Sequence, residues 1–578
     1  MIRRRRRTAI AGALVAIIGL GGVWLARPDG DASGGPEDPV ARKGRTTFAS
    51  SDPVARACEL KERYIERLWR GSLARRSEDI VIVPNEPNYW GSFEQPSHTG
   101  PWDYLQEVPL VLYGPGYVPA EGRQDGPVTL ADIYGTMGEL LDVDLPSRPG
   151  GVLEEAVDPA RDGAPKLVLF LMWDGVGTNV LQRHPDEWPN LRDLEDEGVS
   201  YTGATVGSSP SVTPSTHATL GTGSFPRSHG VTGVHYRTSK GTVRRIFERG
   251  DPRGFGTSTF ADEVDVALGN EPKVGLLAWQ IARPNNEGAR SWESNHLTML
   301  GHGTAFPGGD ADEMGLIGDE GAIDANPEFF SLPSYLNGFP GLEGHITRLD
   351  LEDGEADGEW MGHNIDAAHD NPAWVRFQTD VLTTMLAETG YGTDDVPDLF
   401  FTTFKATDLA GHHFFMDSPE MAATVKAQDD ALGDIIEYLD QNVEDYVVVV
   451  SADHGHTPSF EQTGAWPIST LELEKDVDSY FDVPQGTTMF THGSAGGYFL
   501  DRQVTEKLQV TPEEVAAYMN AYTISDNWAG DDLPPGYADR AEEPVFSAAF
   551  SPPQMPEIMK CAFGSKQPPR TNPSEART

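Results

Sequence analysis

Cysteine is almost absent from this chain, which has 578 residues and only two cysteines, Cys58 and Cys561. Two thiols exclude a four-cysteine zinc site, so any bound metal must use histidine and carboxylate side chains. If the chain folds outside the cell, the two cysteines allow a single disulfide.

Positively charged residues are also scarce. Lysine and arginine number 44 against 89 aspartates and glutamates, which gives a formal net charge of −45. This balance excludes nucleic acid as a bound partner, because nothing offsets the repulsion of its phosphates over the molecule as a whole. The acidic residues instead indicate a solvated surface. Hydrophobic residues make up 38% of the chain, which is enough for a large core.

One apolar run, Thr8–Ala26, approaches the ~20 residues that a membrane-spanning helix needs. It follows Arg3–Arg7 and precedes acidic sequence, a distribution that places the N-terminus in the cytoplasm and the rest of the chain outside. Residues 1–26 are therefore predicted to be a membrane anchor, and a cleaved signal segment is the alternative. In both cases the bulk of the chain is exported. Residues 27–46 are polar and rich in glycine and proline, as in a linker.

Buried strands alternate with helical segments in the rest of the chain. Leu167–Trp173 is a continuous apolar run, typical of a strand buried on both faces of a sheet, and Leu399–Phe404 and Tyr446–Val450 repeat the pattern. Helical segments such as Met421–Leu439 lie between them. Nearer the N-terminus, residues 55–70 and Val128–Leu141 also have helical spacing. This alternation predicts an α/β layered fold with a largely parallel sheet. Ligands of such sheets bind at the carboxyl ends of the strands.

Chemically informative residues form four clusters, three of them at or just beyond these strand ends. An aspartate after a strand is often a helix cap, and a threonine in a loop is usually only a loop residue, so each cluster alone is a weak signal. Together they supply the imidazole and carboxylate groups that zinc prefers, and two such ions about 4 Å apart can clamp the oxygens of an in-line displacement. Metal coordination can also activate a hydroxyl as nucleophile. The clusters are Met172–Gly177, Ser211–Gly223, Thr407–His412 and Ser451–His456.

The order of the motifs resembles the alkaline phosphatase superfamily and, within it, the nucleotide pyrophosphatase/phosphodiesterase family. An aspartate after the first strand is followed by a loop threonine, then Thr-Gly-x-x-Pro-x-x-His-Gly at Thr222–Gly230, then Asp-x-x-Gly-His and finally Asp-His-Gly. The resemblance runs from about residue 166 to residue 500. It implies a three-layer αβα sandwich with a largely parallel central sheet.

The resemblance also implies two zinc ions per chain and a role for each matching residue. Thr213 would be the nucleophile and would bind one of the ions. His217 and His229 would lie outside the metal shell, and His456 could support it from outside. The ligands are thereby assigned as Asp174, Asp453 and His454 for one ion and as Asp408 and His412, with a third histidine, for the other.

Two features of the sequence bear on which class of ester the protein hydrolyses. The family has an asparagine that contacts a phosphoryl oxygen where this chain has Val234, and His235 could donate a hydrogen bond instead. The sulfatase branch needs a cysteine or serine in a C/S-x-P-x-R pattern, which the loop around Thr213 lacks. Sulfate esters are therefore disfavoured, whereas the preferred kind of phosphate ester depends on what replaces the asparagine.

The resulting hypothesis is an exported phosphodiesterase or nucleotide pyrophosphatase that acts through a phospho-threonine intermediate. A phosphomonoesterase using the same site is the nearest alternative. Such enzymes commonly add cationic groups for the extra phosphate charge, and we identify no Lys-x-Arg pair between Thr213 and Asp408 that would serve, which favours diesters. A non-catalytic surface binding protein is a third possibility, against which the full set of candidate ligands argues.

The second zinc site still needs a third histidine, and the position of the best candidate in the sequence predicts a circularly permuted chain. In the superfamily it comes after Asp-His-Gly, where this chain offers His492. A better match to the closing segment of the family is His98, which is followed by an apolar strand at Val108–Tyr113 and by Gly-Pro-Gly. His98 would then complete the site, and the strand would join the same sheet as Leu167–Trp173. The alternative is a separate accessory domain, with His492 as the ligand.

This interpretation divides the chain into segments. Residues 47–156 would be the permuted C-terminal segment of the catalytic domain, residues 157–530 the catalytic core and residues 531–578 an irregular tail. Both cysteines would lie near the junction of the permuted chain, so a disulfide between Cys58 and Cys561 is expected.

Overall fold

The structure of the protein is a computed structural model that describes residues 51–564 with internal gaps. The gaps are residues 99, 249–250, 253, 255, 280–282, 285–289, 292–311, 353 and 366–368. The expected membrane anchor and linker, residues 1–46, lie outside the described residues. Among the residues that are described, no helix has the length and apolar character needed to cross a membrane.

The strands range from two-residue pairs to seven-residue buried strands. In chain order they are β1 (Ile80–Pro84), β2 (Tyr89–Trp90), β3 (Leu110–Tyr113), β4 (Gly122–Thr129), β5 (Leu167–Trp173), β6 (Val199–Thr205), β7 (His235–Arg237), β8 (Val243–Arg245), β9 (Val274–Trp279), β10 (Arg283–Pro284), β11 (Arg290–Ser291), β12 (Glu313–Ile317), β13 (Ile323–Asp324), β14 (Glu359–Trp360), β15 (His363–Asn364), β16 (Asp398–Phe404), β17 (Tyr446–Ser451), β18 (Pro467–Ile468), β19 (Phe490–Ser494), β20 (Gly497–Leu500) and β21 (Phe546–Phe550).

The α-helices range from single turns to the long helix that precedes β17. In chain order they are α1 (Pro53–Cys58), α2 (Glu62–Gly71), α3 (Asp103–Gln106), α4 (Asp132–Leu140), α5 (Thr178–Arg183), α6 (Pro189–Glu197), α7 (Thr213–Thr222), α8 (Pro226–His229), α9 (Phe260–Ala267), α10 (Leu342–Asp350), α11 (Pro372–Thr389), α12 (Ala406–Phe414), α13 (Pro419–Asn442), α14 (Phe460–Thr463), α15 (Thr470–Tyr480), α16 (Arg502–Leu508), α17 (Pro512–Asn520) and α18 (Met555–Phe563).

A nine-stranded sheet forms the centre of the molecule, in the order β13-β12-β9-β16-β5-β17-β3-β6-β4. Neighbouring strands from β12 to β17 are parallel, as the buried apolar runs predict. β3 lies between β17 and β6 and is antiparallel to both, so the sheet is mixed. The strand expected at Val108–Tyr113 therefore does lie in the same sheet as Leu167–Trp173.

Helices cover both faces of this sheet. Alternate side chains of β5 point to opposite faces, and every residue of the strand is buried. Phe170 packs in one core with side chains of α4, α7 and α9. Leu171 packs in the other core with side chains of α6, α11 and α13. The fold is therefore the predicted three-layer αβα sandwich.

A second sheet, in the order β19-β20-β1-β21, lies beside the sandwich. Its strand β1 comes from the N-terminal part of the described chain and is antiparallel to β21 from the C-terminal part. The expectation of an irregular tail from residue 531 is wrong at this point, because β21 and α18 are both ordered elements. β21 is buried along most of its length, and the apolar side chains of α18 face the same core as α2.

Two shorter predictions also need correction. The helix expected over residues 55–70 is two helices, α1 and α2, that are separated by Glu59–Lys61. The helical spacing expected over Val128–Leu141 holds only for α4, because the residues before it form β4 at the edge of the central sheet. In the second case the pairing of β4 with β6 overrides the local helical periodicity.

Cys58, at the end of α1, and Cys561, in α18, form a disulfide with their Cα atoms 6.0 Å apart. The expected pairing is thus present in the structure. It joins the first and last described helices over a sequence separation of 503 residues.

Candidate metal-binding active site

Three parallel strands deliver the predicted carboxylates to one edge of the central sheet. β5 lies between β16 and β17, with Trp173 opposite Phe404 and Met172 opposite Ser451. The residues that follow these strands therefore meet at their carboxyl ends. Asp174 directly follows β5, and its backbone N–H donates to the carbonyl of Phe404 at 3.0 Å.

The first group of side chains consists of Asp174, Asp453 and His454, all completely buried. His454 Nε2 lies 3.4 Å from Asp453 Oδ2 and 3.5 Å from Asp174 Oδ1. One ligand atom from each of the three residues falls within 4.8 Å of the others. The backbone N–H of Gly175 donates to the other oxygen of Asp453 at 3.0 Å, which fixes that carboxylate. This arrangement can hold one metal ion.

The second group surrounds a single carboxylate oxygen, Asp408 Oδ1. The Nε2 atoms of three histidines approach it: His98 at 3.5 Å, His412 at 3.4 Å and His456 at 3.3 Å. Asp408 and His412 lie one turn apart on α12, as their spacing predicts. Asp408 Oδ1 is also 3.7 Å from His454 Nε2, so the two groups adjoin.

The outer nitrogen of each of three histidines is held by a backbone carbonyl. Nδ1 of His412 donates to Pro96 at 2.7 Å, Nδ1 of His454 to Gly455 at 3.1 Å and Nδ1 of His98 to Ser211 at 3.3 Å. A carbonyl only accepts, so each proton sits on Nδ1 and Nε2 is left as a lone-pair donor. This is the second-shell pattern that orients metal-ligating imidazoles.

The inner atoms of both groups fit metal ions. Asp408 Oδ1, Asp453 Oδ2, His454 Nε2 and His456 Nε2 are buried and have no hydrogen-bond partner within the described parts of the chain. Burying such atoms without partners is costly. Imidazole nitrogens and carboxylate oxygens are the ligands that zinc takes in sites without cysteine. The residues present therefore fit divalent metal ions.

Burial and charge keep His412, His454 and Asp408 in the protonation states that metal binding needs, whereas burial and the charge of Asp174 hold the pKa of Asp453 well above its usual value. Burial lowers the pKa of His412 to about 3 and holds the pKa of His454 well below its usual value, so both rings are neutral. Burial would raise the pKa of Asp408, but the charge of Lys405 holds it well below the usual value. Asp408 therefore stays ionised.

Thr213 is the first residue of α7 and is almost completely buried. The carbonyl that accepts from His98 belongs to Ser211, two residues before it. One turn further along α7, His217 Nε2 lies 3.9 Å from Asp453 Oδ2. The start of this helix thus lies beside both groups. His217 borders the site and belongs to neither set of candidate ligands.

The structure places the other candidate histidines elsewhere. His229 is buried and accepts from the backbone N–H of Val231 at 3.1 Å, a structural contact. His492 is in β19, its ring centroid is 3.6 Å from that of His235, and it belongs to neither metal group. Of the two candidates for the last ligand, His98 is therefore the one that lies beside Asp408.

Sequence reasoning left His456 out of the ligand set. Its ring fills a space between two glycines, because a Cβ on Gly175 or Gly411 would come within 2.8 or 2.5 Å of it. The signal was available in the second histidine of Asp453-His454-Gly455-His456. The glycines of Asp-Gly and Gly-His are needed at these positions because the ring packs against their backbones.

Comparison with known proteins gives a family and several relatives. The family model described as type I phosphodiesterase / nucleotide pyrophosphatase matches residues 168–543. The alkaline phosphatase PafA of Elizabethkingia meningoseptica is 24% identical over 413 residues, which cover 61% of this chain and 72% of that protein. The alkaline phosphatase PhoD of Zymomonas mobilis is 36% identical over 84 residues, which are 14% of this chain and only 15% of that protein. A crystal structure of wild-type PafA superposes with a TM-score of 0.47 at 16% identity, covering 67% of this chain and 84% of that one.

Proposed function

Because the chain belongs to the type I phosphodiesterase / nucleotide pyrophosphatase family and is a phosphoric ester hydrolase, we propose that it cleaves phosphodiesters at a two-zinc site with Thr213 as nucleophile. The observation that carries the proposal is the pair of adjoining ligand groups, which meet at His454 and Asp408 beside the start of α7. When bound, the two ions would stabilise the negative charge that develops on the phosphoryl and leaving-group oxygens.

Thr213 carries out the first half of the reaction. Its hydroxyl oxygen would attack phosphorus and release its proton to solvent, the bond to the leaving group would break, and a phospho-threonine would form. The leaving oxygen would depart as an alcohol or phosphate that takes up a proton from solvent. Water then cleaves the new P–O bond and restores the hydroxyl. The position of Thr213 at the first turn of α7 suits this chemistry, because backbone N–H groups at a helix N-terminus favour a phosphoryl group.

The buried histidines hold the geometry. The Nδ1 contacts to backbone carbonyls fix the rings of His98, His412 and His454, so their Nε2 atoms stay directed at the carboxylates. Each group then offers its ligands without rearrangement, which is the preorganisation that an electrostatic mechanism requires. We assign Asp174, Asp453 and His454, with Thr213, to one ion and Asp408, His412 and His98 to the other, and His456 supports Asp408 from beside the second group.

A phosphomonoesterase is the second candidate, because two of the relatives bear the name alkaline phosphatase. Steady-state rates with 4-nitrophenyl phosphate and bis(4-nitrophenyl) phosphate separate the two functions. A higher kcat/KM for the diester supports the proposal, and a higher value for the monoester supports the alternative. If the protein binds two zinc ions and hydrolyses neither compound, it is a binding protein.

The metal content is tested on the same preparation. Elemental analysis should find two zinc ions per chain. A single ion, or magnesium alone in the active protein, would contradict the two-zinc site.

We also propose that the catalytic part works outside the cytoplasm, tethered by the N-terminal segment or released from it. The disulfide between Cys58 and Cys561 supports this location, since disulfides persist in oxidising compartments. Fractionation of cells that produce the full chain, with and without protease added from outside, tests it.

A further inference from the structure

A buried lysine lies between the two metal groups. Lys405 follows β16 and is only 6% exposed. Its Nζ donates to Asp174 Oδ2 at 2.9 Å and lies 2.6 Å from Asp408 Oδ2. The ammonium group thus bridges one carboxylate from each group.

The two carboxylates use different oxygens for the lysine and for the histidines. At Asp408 the histidines approach Oδ1, whereas Lys405 contacts Oδ2. At Asp174 His454 approaches Oδ1, whereas Lys405 again contacts Oδ2. The inner oxygen of each carboxylate therefore faces the ligand nitrogens, and the outer oxygen faces the ammonium.

The fold fixes this bridge from both sides. Asp174 and Lys405 directly follow the paired residues Trp173 and Phe404 of adjacent parallel strands, so the register places them side by side. Thr407 Oγ also donates to the carbonyl of Asp174 at 2.6 Å, which ties the start of α12 to the end of β5. The side chain of Lys405 is only 7% exposed, so little of it is open to water.

We propose that Lys405 is a positioning residue that occupies the outer oxygens of Asp174 and Asp408, so that each carboxylate offers a metal ion one oxygen and not two. The inference rests on the proposed two-metal function. A carboxylate that binds through two oxygens fills a coordination position that a catalytic zinc site keeps open for substrate or water. Lys405 thereby keeps those positions open and places a fixed positive charge beside both carboxylates.

The test compares Lys405→Met with the unchanged protein. The variant keeps the aliphatic stem and loses the ammonium. Without it, the buried carboxylates of the metal-free protein lose a counter-ion, so metal ions should stabilise the variant more than they stabilise the unchanged protein. We expect zinc to bind the variant at least as tightly, in competition with a chelator, and the rise in Tm on adding zinc to be larger. We expect kcat to fall by about 10- to 100-fold, the usual effect of losing an outer-shell partner.

Replacing the bound zinc ions with cobalt reports the coordination number of the metal ions through their absorption spectrum. Four-coordinate cobalt absorbs visible light more strongly than five-coordinate cobalt, so the absorbance per bound ion should fall in Lys405→Met. Lys273→Met is the matched control, because Lys273 Nζ also bridges two aspartates, Asp394 at 2.9 Å and Asp398 at 3.2 Å, at the opposite end of β16. This control should leave metal affinity, cobalt absorbance and kcat unchanged.

Three results overturn the inference: weaker zinc binding in Lys405→Met, an unchanged kcat, or an unchanged cobalt spectrum. If Lys405→Met does not fold, Lys405→Gln replaces it, since its amide can still donate to one carboxylate and should give the same changes at smaller size. Failure of the proposed function is distinct, because the unchanged protein would then bind fewer than two metal ions or hydrolyse no phosphate ester.

Discussion

Thr213 is the residue on which the proposed chemistry depends. We expect Thr213→Ala to lower kcat/KM by about 1,000-fold or more, because the substitution removes the hydroxyl that would form the covalent intermediate. Thr213→Ser keeps a hydroxyl at the same place and should retain substantial activity. The measurement is kcat/KM together with metal content and the far-ultraviolet circular dichroism of each variant. More than a small percentage of residual activity in a folded, metal-loaded Thr213→Ala would assign the nucleophile elsewhere.

Glu78, which belongs to neither metal group, predicts how the stability of the protein depends on pH. It is buried, accepts a hydrogen bond from the hydroxyl of Ser494, and burial raises its pKa from 4.5 to about 7. The folded protein therefore holds this proton more tightly than the unfolded chain does. Its contribution to stability falls as the pH rises from 4.5 to 7, and above that range the ionised carboxylate costs about 3 kcal/mol, at about 1.4 kcal/mol per pKa unit.

Glu78→Gln removes this cost while keeping the shape of the side chain. We expect the free energy of unfolding of the variant, relative to the unchanged protein, to be higher at pH 8 than at pH 5 by up to about 3 kcal/mol. Urea unfolding at the two pH values measures it. Glu557→Gln, at an exposed position of α18, is the control and should show the same difference at both. A pH-independent effect of Glu78→Gln would mean that the carboxyl does not change its charge in this range.

The site residues that could be predicted from the sequence share one property. Asp174 and Asp453 lie one and two residues beyond the end of a recognisable buried strand, and Asp408 and His412 lie one turn apart on a helix that begins there. Local sequence fixes such positions. Lys405 was not found, because its role depends on the register between β5 and β16, which are more than two hundred residues apart in the sequence.

At the scale of elements, the segment from His98 to β3 decides how the site is completed. β3 lies inside the central sheet, and His98 lies beside Asp408, whereas His492 is on β19 of the second sheet. An N-terminal segment that supplies a sheet strand and a ligand is what a circularly permuted chain requires. The permutation itself remains a prediction.

The comparison of His98→Ala with His492→Ala tests the predicted circular permutation. His98→Ala should lose about one zinc ion per chain and most of the activity, because only two of the three ligands assigned to the second ion then remain. His492→Ala should keep both ions. Zinc content, by elemental analysis, and kcat/KM are the two measurements. Loss of an ion only in His492→Ala, or full activity in a fragment that lacks residues 46–156, would show that the N-terminal segment is an accessory domain.

Elements were predictable where burial on both faces imposed a continuous apolar run, as in β5, β16 and β17. Strands were not predictable where only pairing with another strand makes the segment extended. β4 has no apolar run, because it is the partly exposed edge of the central sheet and, among the described strands, pairs only with β6. β21 has small residues at its centre and is recognisable as a strand only through β1, which comes from the other end of the described chain.

At the scale of the whole molecule, the two ends of the described chain form one unit. Tyr64 and Leu68 of α2 pack in the same core as Ile558 of α18 and Phe550 of β21. On the same helix, Arg67 donates to the carbonyl of Pro101 at 2.8 Å, close to the loop that carries His98. The disulfide between Cys58 and Cys561 covalently joins α1 to α18 beside this core. The stability of the two ends is therefore linked to the loop that carries His98.

Removing the disulfide should therefore lower stability before it lowers activity. We expect the double variant Cys58→Ser, Cys561→Ser to lose about 2–5 kcal/mol of unfolding free energy, since the bond restricts the unfolded chain over almost its full described length. At 25 °C the sheet and both metal groups should persist, so kcat/KM should change little, and activity should be lost at a lower temperature than in the unchanged protein. Tm with and without reductant, and residual activity after heating, are the measurements. Reductant should lower the Tm of the unchanged protein and leave that of the variant as it is. Equal Tm values for the oxidised protein and the variant would show that packing among α2, β21 and α18, and not the covalent bond, holds the two ends together.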